Sequence, residues 1–125
     1  ADNRIGEPPY KKQTSWEAYQ HLKDRIAYVH VKDGFYVKET DGIFPEMNYC
    51  YPGEGNGEVK RIIKDLLKND YDGGFSIEPH MGAVYHNDQN NSEAEAKYKT
   101  YLEYGKRFMN LIEEIKSEIK EENNG

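Results

Sequence analysis

The chain has 125 residues, enough for one domain of ordinary size, and it is strongly polar, with 32% charged residues and a net charge of −6 at pH 7. Nucleic-acid and anionic-membrane partners require a basic surface, so this charge argues against both classes. The single cysteine, Cys50, excludes an internal disulfide and is typical of a reducing compartment. No apolar run approaches the ~20 residues of a membrane-spanning helix. The composition therefore predicts a soluble, cytoplasmic protein.

Three segments have the pattern of a helix. Thr14 and Glu17 form a capping box, which predicts the start of a first, short helix. Between residues 59 and 67, apolar side chains recur at the i, i+3, i+4, i+7 spacing of an amphipathic helix. Ser92 and Glu95 form a second capping box, which predicts the start of a long third helix. The apolar stripe predicted for this third helix consists of Tyr98, Tyr101, Leu102, Phe108, Met109, Ile112, Ile115 and Ile119.

Two segments between these helices alternate apolar and polar side chains, as β-strands do: residues 25–33 and residues 73–78. The order helix, strand, helix, strand, helix predicts parallel strands joined by right-handed crossovers, and hence an α/β fold. Long connections follow both strands, at residues 34–57 and 79–91, and connections of that length are usually functional or disordered. Because two parallel strands do not form a stable sheet alone, we expect further strands from a longer protein or from oligomerisation.

Both predicted strands end in side chains that can bind a divalent ion. His30 and Lys32 lie in the phase opposite to the aliphatic side of the first strand, and Glu78 does so in the second. Parallel strands present their carboxyl ends at one edge, where α/β proteins bind ligands. Imidazole nitrogen and carboxylate oxygen both suit a divalent ion. A lone strand histidine is more often a hydrogen-bonded core residue, and a glutamate before proline is more often a surface residue, so the pattern leaves both interpretations open.

Three motifs in order add a resemblance. The sequence reads HVKD at residues 30–33, PGEG at residues 52–55 and DGGFSIEPH at residues 72–80. Together they resemble the end of the xylose-isomerase-like barrel family of sugar-phosphate isomerases and epimerases, and residues 3–7 resemble the segment after that family's sixth strand. The resemblance extends over residues 1–125. It implies a single partial domain, the C-terminal part of a (β/α)8 TIM barrel.

The resemblance implies roles for individual side chains. His30 and Glu78 correspond to metal ligands at the ends of strands seven and eight, and Glu78 also corresponds to one of the two catalytic carboxylates of the epimerases. The side chains that it places near the substrate are Lys32, Asp33, Glu54 and His80. A turn carboxylate and a solvated loop histidine are equally good interpretations of the last two.

The family's chemistry implies a metal that polarises a sugar carbonyl while a carboxylate moves the proton on the neighbouring carbon. The ion is expected to be Mn, Mg, Co or Zn, because mixed histidine and carboxylate ligands discriminate weakly among them. The substrate class is a sugar or sugar phosphate. Members of the family take further metal ligands from strand four or five and from strand six, and the alignment places the strand-six ligand just before Ala1. We therefore expect this chain to be inactive without the N-terminal half of the barrel.

Three other functions fit part of the pattern. An endonuclease IV-type nuclease shares the barrel, but its zinc cluster needs histidines, and the sequence has none between Gly34 and Gly53. An inosose-dehydratase-like lyase would use the same metal to eliminate water, and the sequence does not separate it from an epimerase. A non-catalytic fragment that acts as an interaction module, including one that forms homo-oligomers, is the third.

Overall fold

The computed structural model of the chain describes residues 3–38, 40, 46–80 and 93–125. Within them, the helices are α1 (Ser15–Leu22), α2 (Val59–Lys68) and α3 (Glu93–Asn124), and a short 3-10 helix follows α1 at Lys23–Arg25. The strands are β1 (Asn3–Ile5), β2 (Lys11–Gln13), β3 (Tyr28–Val31), β4 (Asp33–Lys38), β5 (Glu46–Cys50) and β6 (Gly74–Ile77).

The two predicted strands are β3 and β6, and they are adjacent and parallel. His30 pairs with Ser76 and Val31 pairs with Ile77. Beyond the last pair, the N–H of Glu78 donates a hydrogen bond of 2.9 Å to the carbonyl of Val31. Both strands are shorter than predicted, but the prediction that they are parallel is confirmed.

The hydrophobic core lies between this parallel pair and the helices α2 and α3. Its most deeply buried aliphatic side chains are Ile63 of α2, 1% exposed, and Ile115 of α3, 0% exposed. Complete burial of a side chain of this size contributes about 1.5–3 kcal/mol. The strands contribute buried Val31 and the partly buried side chains of Val29, Phe75 and Ile77. The aliphatic side of each strand therefore packs against helices, as its alternation predicts.

A ladder of lysine–glutamate pairs links α2 to α3. Three lysines of α2 and three glutamates of α3, each set spaced four residues apart, face one another along the helices. Lys60, at the N-terminal end of α2, pairs with Glu114 and Glu118, and Lys68, at the C-terminal end, pairs with Glu122. The two helices therefore run in the same direction. The pairs are Lys60–Glu114, Lys60–Glu118, Lys64–Glu118, Lys64–Glu122 and Lys68–Glu122.

Helix α1 begins at the predicted capping box. The Thr14 hydroxyl accepts a hydrogen bond of 3.1 Å from the N–H of Glu17, and the Glu17 carboxylate accepts one of 2.8 Å from the N–H of Thr14. Tyr19 then anchors the helix to α2, because its hydroxyl donates a hydrogen bond of 2.7 Å to Asp65. The prediction of this helix and of its first residue is confirmed.

Two antiparallel hairpins were not predicted. Strand β1 pairs with β2, and β4 pairs with β5 in a register that sets Gly34 opposite Tyr49. Residues 34–57, predicted to be one long connection, therefore contain most of a hairpin. Apolar side chains such as Phe35 and Val37 are exposed on this hairpin, so the hydrophobic pattern of a buried strand is weak here.

The stripe predicted for α3 is partly wrong. Phe108, Ile112 and Ile115 are buried in the core, and Ile119 packs against it. Four other members of the predicted stripe are exposed: Tyr98, Tyr101, Leu102 and Met109. The apolar arc of the helix is wider than the surface that the sheet and α2 cover. Ser92, the predicted cap, lies outside the described residues. None of the helices in the described part of the chain is long and apolar enough to cross a membrane.

Within the described residues the strands form three two-stranded sheets and no closed barrel. The parallel pair β3–β6 has α2 and α3 packed on the side that carries Val31 and Ile77. Successive side chains of a strand alternate between the two faces, so His30 and Ser76 lie on the opposite face of this pair. That face carries the candidate site.

Candidate active site at the ends of β3 and β6

Glu78 is the centre of a cluster of four polar side chains at the carboxyl ends of β3 and β6. Its Oε2 atom lies 3.7 Å from Nδ1 of His30 and 4.0 Å from Nζ of Lys32. Its Oε1 atom accepts a hydrogen bond of 2.7 Å from Nε2 of His80. We call these four residues the Glu78 cluster. The prediction that His30 and Glu78 lie at the same end of one sheet is confirmed.

The pleat of the parallel pair explains why these residues meet. His30 is the register partner of Ser76, so the two side chains lie on one face, and Glu78 follows two residues later in the same phase. Lys32 lies two residues beyond His30, as Glu78 lies two residues beyond Ser76, so it has the same phase. Ser76 lies beneath the cluster, and its buried hydroxyl oxygen has no hydrogen-bond partner among the described residues. Ser76 was not among the predicted site residues, although its phase in the strand places it on this face.

The surroundings of Glu78 favour its charged form. The hydrogen bond from His80 is the largest of the causes that lower the pKa of Glu78, and the positive charge of Lys32 is the next. The carboxylate remains partly open to solvent. It can therefore bind a cation or accept a proton from a bound ligand.

Two aromatic residues border the cluster. The ring centroid of Tyr49, on β5, lies 5.2 Å from that of His80 at an interplanar angle of 37°. The ring of Tyr28, on β3, lies 5.5 Å from that of His30 in an edge-on arrangement. Tyr28 could have been found from its phase in the predicted strand. Tyr49 could not, because its position depends on the unpredicted β4–β5 hairpin.

Asp33 has a different environment from the one that the resemblance implies. The residue is only 4% exposed, and its carboxylate accepts four backbone N–H bonds. Those from Gly34 and Gly57 reach Oδ1 at 2.9 Å, and those from Gly53 and Gly55 reach Oδ2 at 2.9 and 3.1 Å. A Cβ atom at Gly55 or Gly57 would stand only 2.5 or 2.7 Å from Oδ1, so this approach requires glycine. The structure places Asp33 as the anchor of the Gly53–Gly57 loop and not in the Glu78 cluster.

Glu54, at the tip of the same loop, is bound by α3. Its Oε1 atom accepts a hydrogen bond of 2.8 Å from the Arg107 guanidinium, which also lies over the ring of Tyr51, 3.9 Å from the ring centroid. The structure therefore groups Glu54 with α3. Arg107 was not identified from the sequence, because nothing in a long charged helix marks one arginine as the partner of a distant loop.

Two further reactive groups lie close to Asp33. The Tyr104 hydroxyl donates to the carbonyl of Val31 at 3.3 Å, and its pKa is raised, first by burial and then by the charge of Asp33. Burial, and then the charges of Asp33 and Glu54, raise the pKa of the Cys50 thiol to about 11. At neutral pH this thiol is therefore protonated and is a poor nucleophile. Both groups are best understood as parts of the packing beneath the loop.

The fit of a metal ion depends on how many donors are present. Two ligands that are each about 2.1 Å from an ion lie roughly 3–3.5 Å apart. The separation of 3.7 Å between His30 and Glu78 is close to this range. In residues 3–38, 40, 46–80 and 93–125, however, no group of three or more His, Cys, Asp or Glu side chains is arranged to hold an ion. His30 and Glu78 therefore fit two positions of a coordination shell, and further ligands would have to come from outside these residues.

Comparisons of the chain with families of known proteins, with curated proteins and with solved structures found no match. The residues and geometry of the Glu78 cluster, together with the three sequence motifs, are therefore the basis for a functional assignment.

Proposed function

We propose that this chain supplies the carboxyl-terminal strands of a divalent-metal-dependent isomerase or epimerase that acts on a sugar or sugar phosphate. One arrangement supports the proposal above all others. Two adjacent parallel strands bring His30, Lys32, Glu78 and His80 together at their carboxyl ends, with both His30 and Lys32 within 4.0 Å of Oε2 of Glu78. Ligands of parallel α/β folds bind at this end.

Glu78 is the proposed acid/base group. Its carboxylate removes the proton from the carbon next to a carbonyl, and the electron pair of that C–H bond moves towards the carbonyl oxygen. Isomerisation then needs the proton placed on the former carbonyl carbon, while the proton of the adjacent hydroxyl passes to the former carbonyl oxygen. Epimerisation needs a proton returned to the same carbon from its opposite face. Epimerisation therefore requires a second carboxylate, which we assign to the part of the barrel that precedes this chain.

His30 and Lys32 have supporting roles. His30 and Glu78 would hold a divalent ion (Mn, Mg, Co or Zn), which when bound supplies a positive charge that polarises the substrate carbonyl. The Lys32 ammonium group lies 4.0 Å from Oε2 of Glu78 and is placed to bind an anionic group of the substrate. Since the described residues offer two ion ligands, the activity is proposed for the complete protein and not for these residues alone.

Exchange of a substrate proton with solvent tests the proposal. The full-length protein would be incubated in deuterium oxide with Mn²⁺ and a panel of ketoses and ketose phosphates, and deuterium incorporation next to the carbonyl would be followed by NMR. Glu78→Gln should lower the rate by about 100-fold or more, because the amide cannot act as a base. Glu113→Gln, on the exposed surface of α3, is the matched control and should leave the rate unchanged.

The metal part of the proposal needs a separate measurement. His30→Ala should weaken Mn²⁺ binding in a calorimetric titration of the full-length protein while the circular dichroism spectrum stays that of the wild type, since His30 is exposed and lies outside the core. Unchanged Mn²⁺ affinity in His30→Ala, or wild-type exchange rates in Glu78→Gln, would contradict the proposed assignment.

A second candidate function is association, and one observation favours it. Helix α3 exposes four large apolar side chains on one side, with Tyr98 as much as 64% exposed, and three of them surround a shallow groove above Gly105. The exposed set is Tyr98, Tyr101, Leu102 and Met109. Such a face suits a partner surface, either the rest of a barrel or a second copy of the chain. Sedimentation of the isolated chain tests this, because a compact monomer at all concentrations would exclude self-association.

A further inference from the structure

The β4–β5 hairpin carries an aromatic ring to the Glu78 cluster. Strand β4 begins at Asp33, two residues after β3 ends, and Gly34 pairs with Tyr49 across the hairpin. The two strands approach closely at this point, because a Cβ atom on Gly34 would stand 3.0 Å from the carbonyl oxygen of Asn48. The position of Tyr49 is thus set by the end of β3, the same strand end that carries His30.

The two oxygens of Glu78 have different neighbours. Oε1 accepts the hydrogen bond from Nε2 of His80, and the ring of His80 in turn lies against the Tyr49 ring, with the centroids 5.2 Å apart. Oε2 faces Nδ1 of His30 and Nζ of Lys32 at longer distances of 3.7 and 4.0 Å. Among the residues that the structure describes, only Oε1 of the two oxygens is therefore engaged in a short hydrogen bond.

We propose that Tyr49 is a positioning residue, whose ring holds the His80 imidazole against Oε1 of Glu78 so that Oε2 is the oxygen left for a substrate proton or an ion. His80 follows buried Pro79 but its own side chain is exposed, so without the ring it would sample several rotamers. The Tyr49 ring limits the rotamers of His80, and the hydrogen bond from His80 limits the rotamers of Glu78. The use of Oε2 in catalysis rests on the proposed function, whereas the coupling of the three side chains does not.

The coupling can be measured in the chain itself. Uniformly ¹³C,¹⁵N-labelled protein at one fixed pH gives the side-chain coupling constants of Glu78, which report its rotamers, and the ring-proton shifts of His80, which report the nearby Tyr49 ring. Tyr49→Leu should remove the contribution of the Tyr49 ring to the His80 ring-proton shifts and should average the Glu78 couplings over several rotamers. Tyr49→Phe is the matched control, since it keeps the ring and removes only the hydroxyl, and it should preserve both signals.

A double-mutant cycle separates coupling from independent effects. His80→Ala alone should average the Glu78 couplings as Tyr49→Leu does, and the double variant should show no further change, because Tyr49 acts only through His80. Backbone amide spectra of each variant establish that the fold is retained; Tyr49 lies outside the hydrophobic core. Unchanged Glu78 couplings in Tyr49→Leu, or an additive effect in the double variant, would overturn the inference. If the couplings behave as expected but Glu78→Gln retains deuterium exchange, the proposed function fails and the positioning role stands.

Discussion

Replacement of Asp33 by asparagine should destabilise the protein strongly, although the two side chains have nearly the same shape. Both carboxylate oxygens of Asp33 accept two backbone N–H bonds each, from Gly34 and Gly57 on one side and from Gly53 and Gly55 on the other. An asparagine amide offers a single acceptor oxygen. In either orientation, its NH2 group faces two N–H donors that have lost their acceptor.

The cost follows from the number of donors left without a partner. A fully buried N–H without an acceptor costs about 1–3 kcal/mol, and three of the four bonds to Asp33 are only partly buried. The two donors together should therefore lower the free energy of unfolding by about 2 kcal/mol, the lower end of the range for two such groups. Domains of this size have total stabilities of ~5–15 kcal/mol, so a substantial part of the stability is at stake. Asp33→Ala leaves all four N–H groups without their acceptor and should be more damaging still.

Urea unfolding at one fixed protein concentration measures this loss, since self-association would otherwise shift the transition. Hydrogen exchange of the Gly53, Gly55 and Gly57 amides gives a local measure, and all three should lose protection in Asp33→Asn. Glu54→Gln is the control, because it alters an exposed carboxylate in the same loop and should change the unfolding transition little. An Asp33→Asn variant within about 0.5 kcal/mol of wild type, the usual range of surface substitutions, would refute the role given to the carboxylate.

Three other outcomes are expected. Hydrogen bonds from Lys64 and then Lys68 hold the pKa of Glu122 at about 2, below its ordinary value of 4.5. The stabilising contribution of Glu122 is therefore complete above about pH 5 and is lost as the pH falls towards 2. In urea unfolding across this pH range, wild type should lose more stability than Glu122→Gln, and equal losses would contradict the pairing. Ile115→Ala should lower the free energy of unfolding by about 2–5 kcal/mol in the same assay, and a loss below 1 kcal/mol would mean that the core packs differently. Leu102→Glu should reduce any self-association seen by sedimentation without lowering stability, because this side chain is exposed, and unchanged association would assign the contact to another surface.

The helices and the parallel strands could be predicted because each has a local cause in the sequence. The Thr14 capping box fixes the start of α1, and the spacing of apolar residues between 59 and 67 identifies α2. Alternation identifies β3 and β6, and the helix between them implies that they are parallel. Strand phase then places His30 and Glu78 on one face at one end, and the adjacency and register of the two strands, which phase does not give, bring them together.

The hairpins and the environments of the loop residues could not be predicted, because they depend on contacts between distant residues. Phe35 and Val37 flank Tyr36 and are exposed, so β4 lacks the apolar–polar alternation that identifies β3 and β6. Asp33 was interpreted as a substrate-binding group because of its neighbours in the motif, and only the folded loop brings four N–H donors to it. Glu54 likewise finds its partner, Arg107, in a helix that begins far along the chain.

The misassigned part of α3 has a more general cause. An apolar side chain at helical spacing shows which side of a helix can be buried, but burial also requires a neighbour to cover it. Tyr101 and Met109 lie on the apolar arc of α3, yet within the described residues the sheet and α2 cover only the part that contains Phe108 and Ile115.

The ladder between α2 and α3 leaves the relative position of the two helices undetermined along their length. Its lysines and glutamates recur every four residues, so a slide of four residues, about 6 Å, would exchange each lysine's partners for equivalent ones and lose contacts only at the ends. The charges thus favour parallel neighbours but tolerate several offsets. The choice among these offsets falls to the close-packed core, in which Ile63 of α2 and Ile115 of α3 are 1% and 0% exposed. Insertion of four residues into α3 would therefore preserve its electrostatic match to α2 and disrupt its steric one.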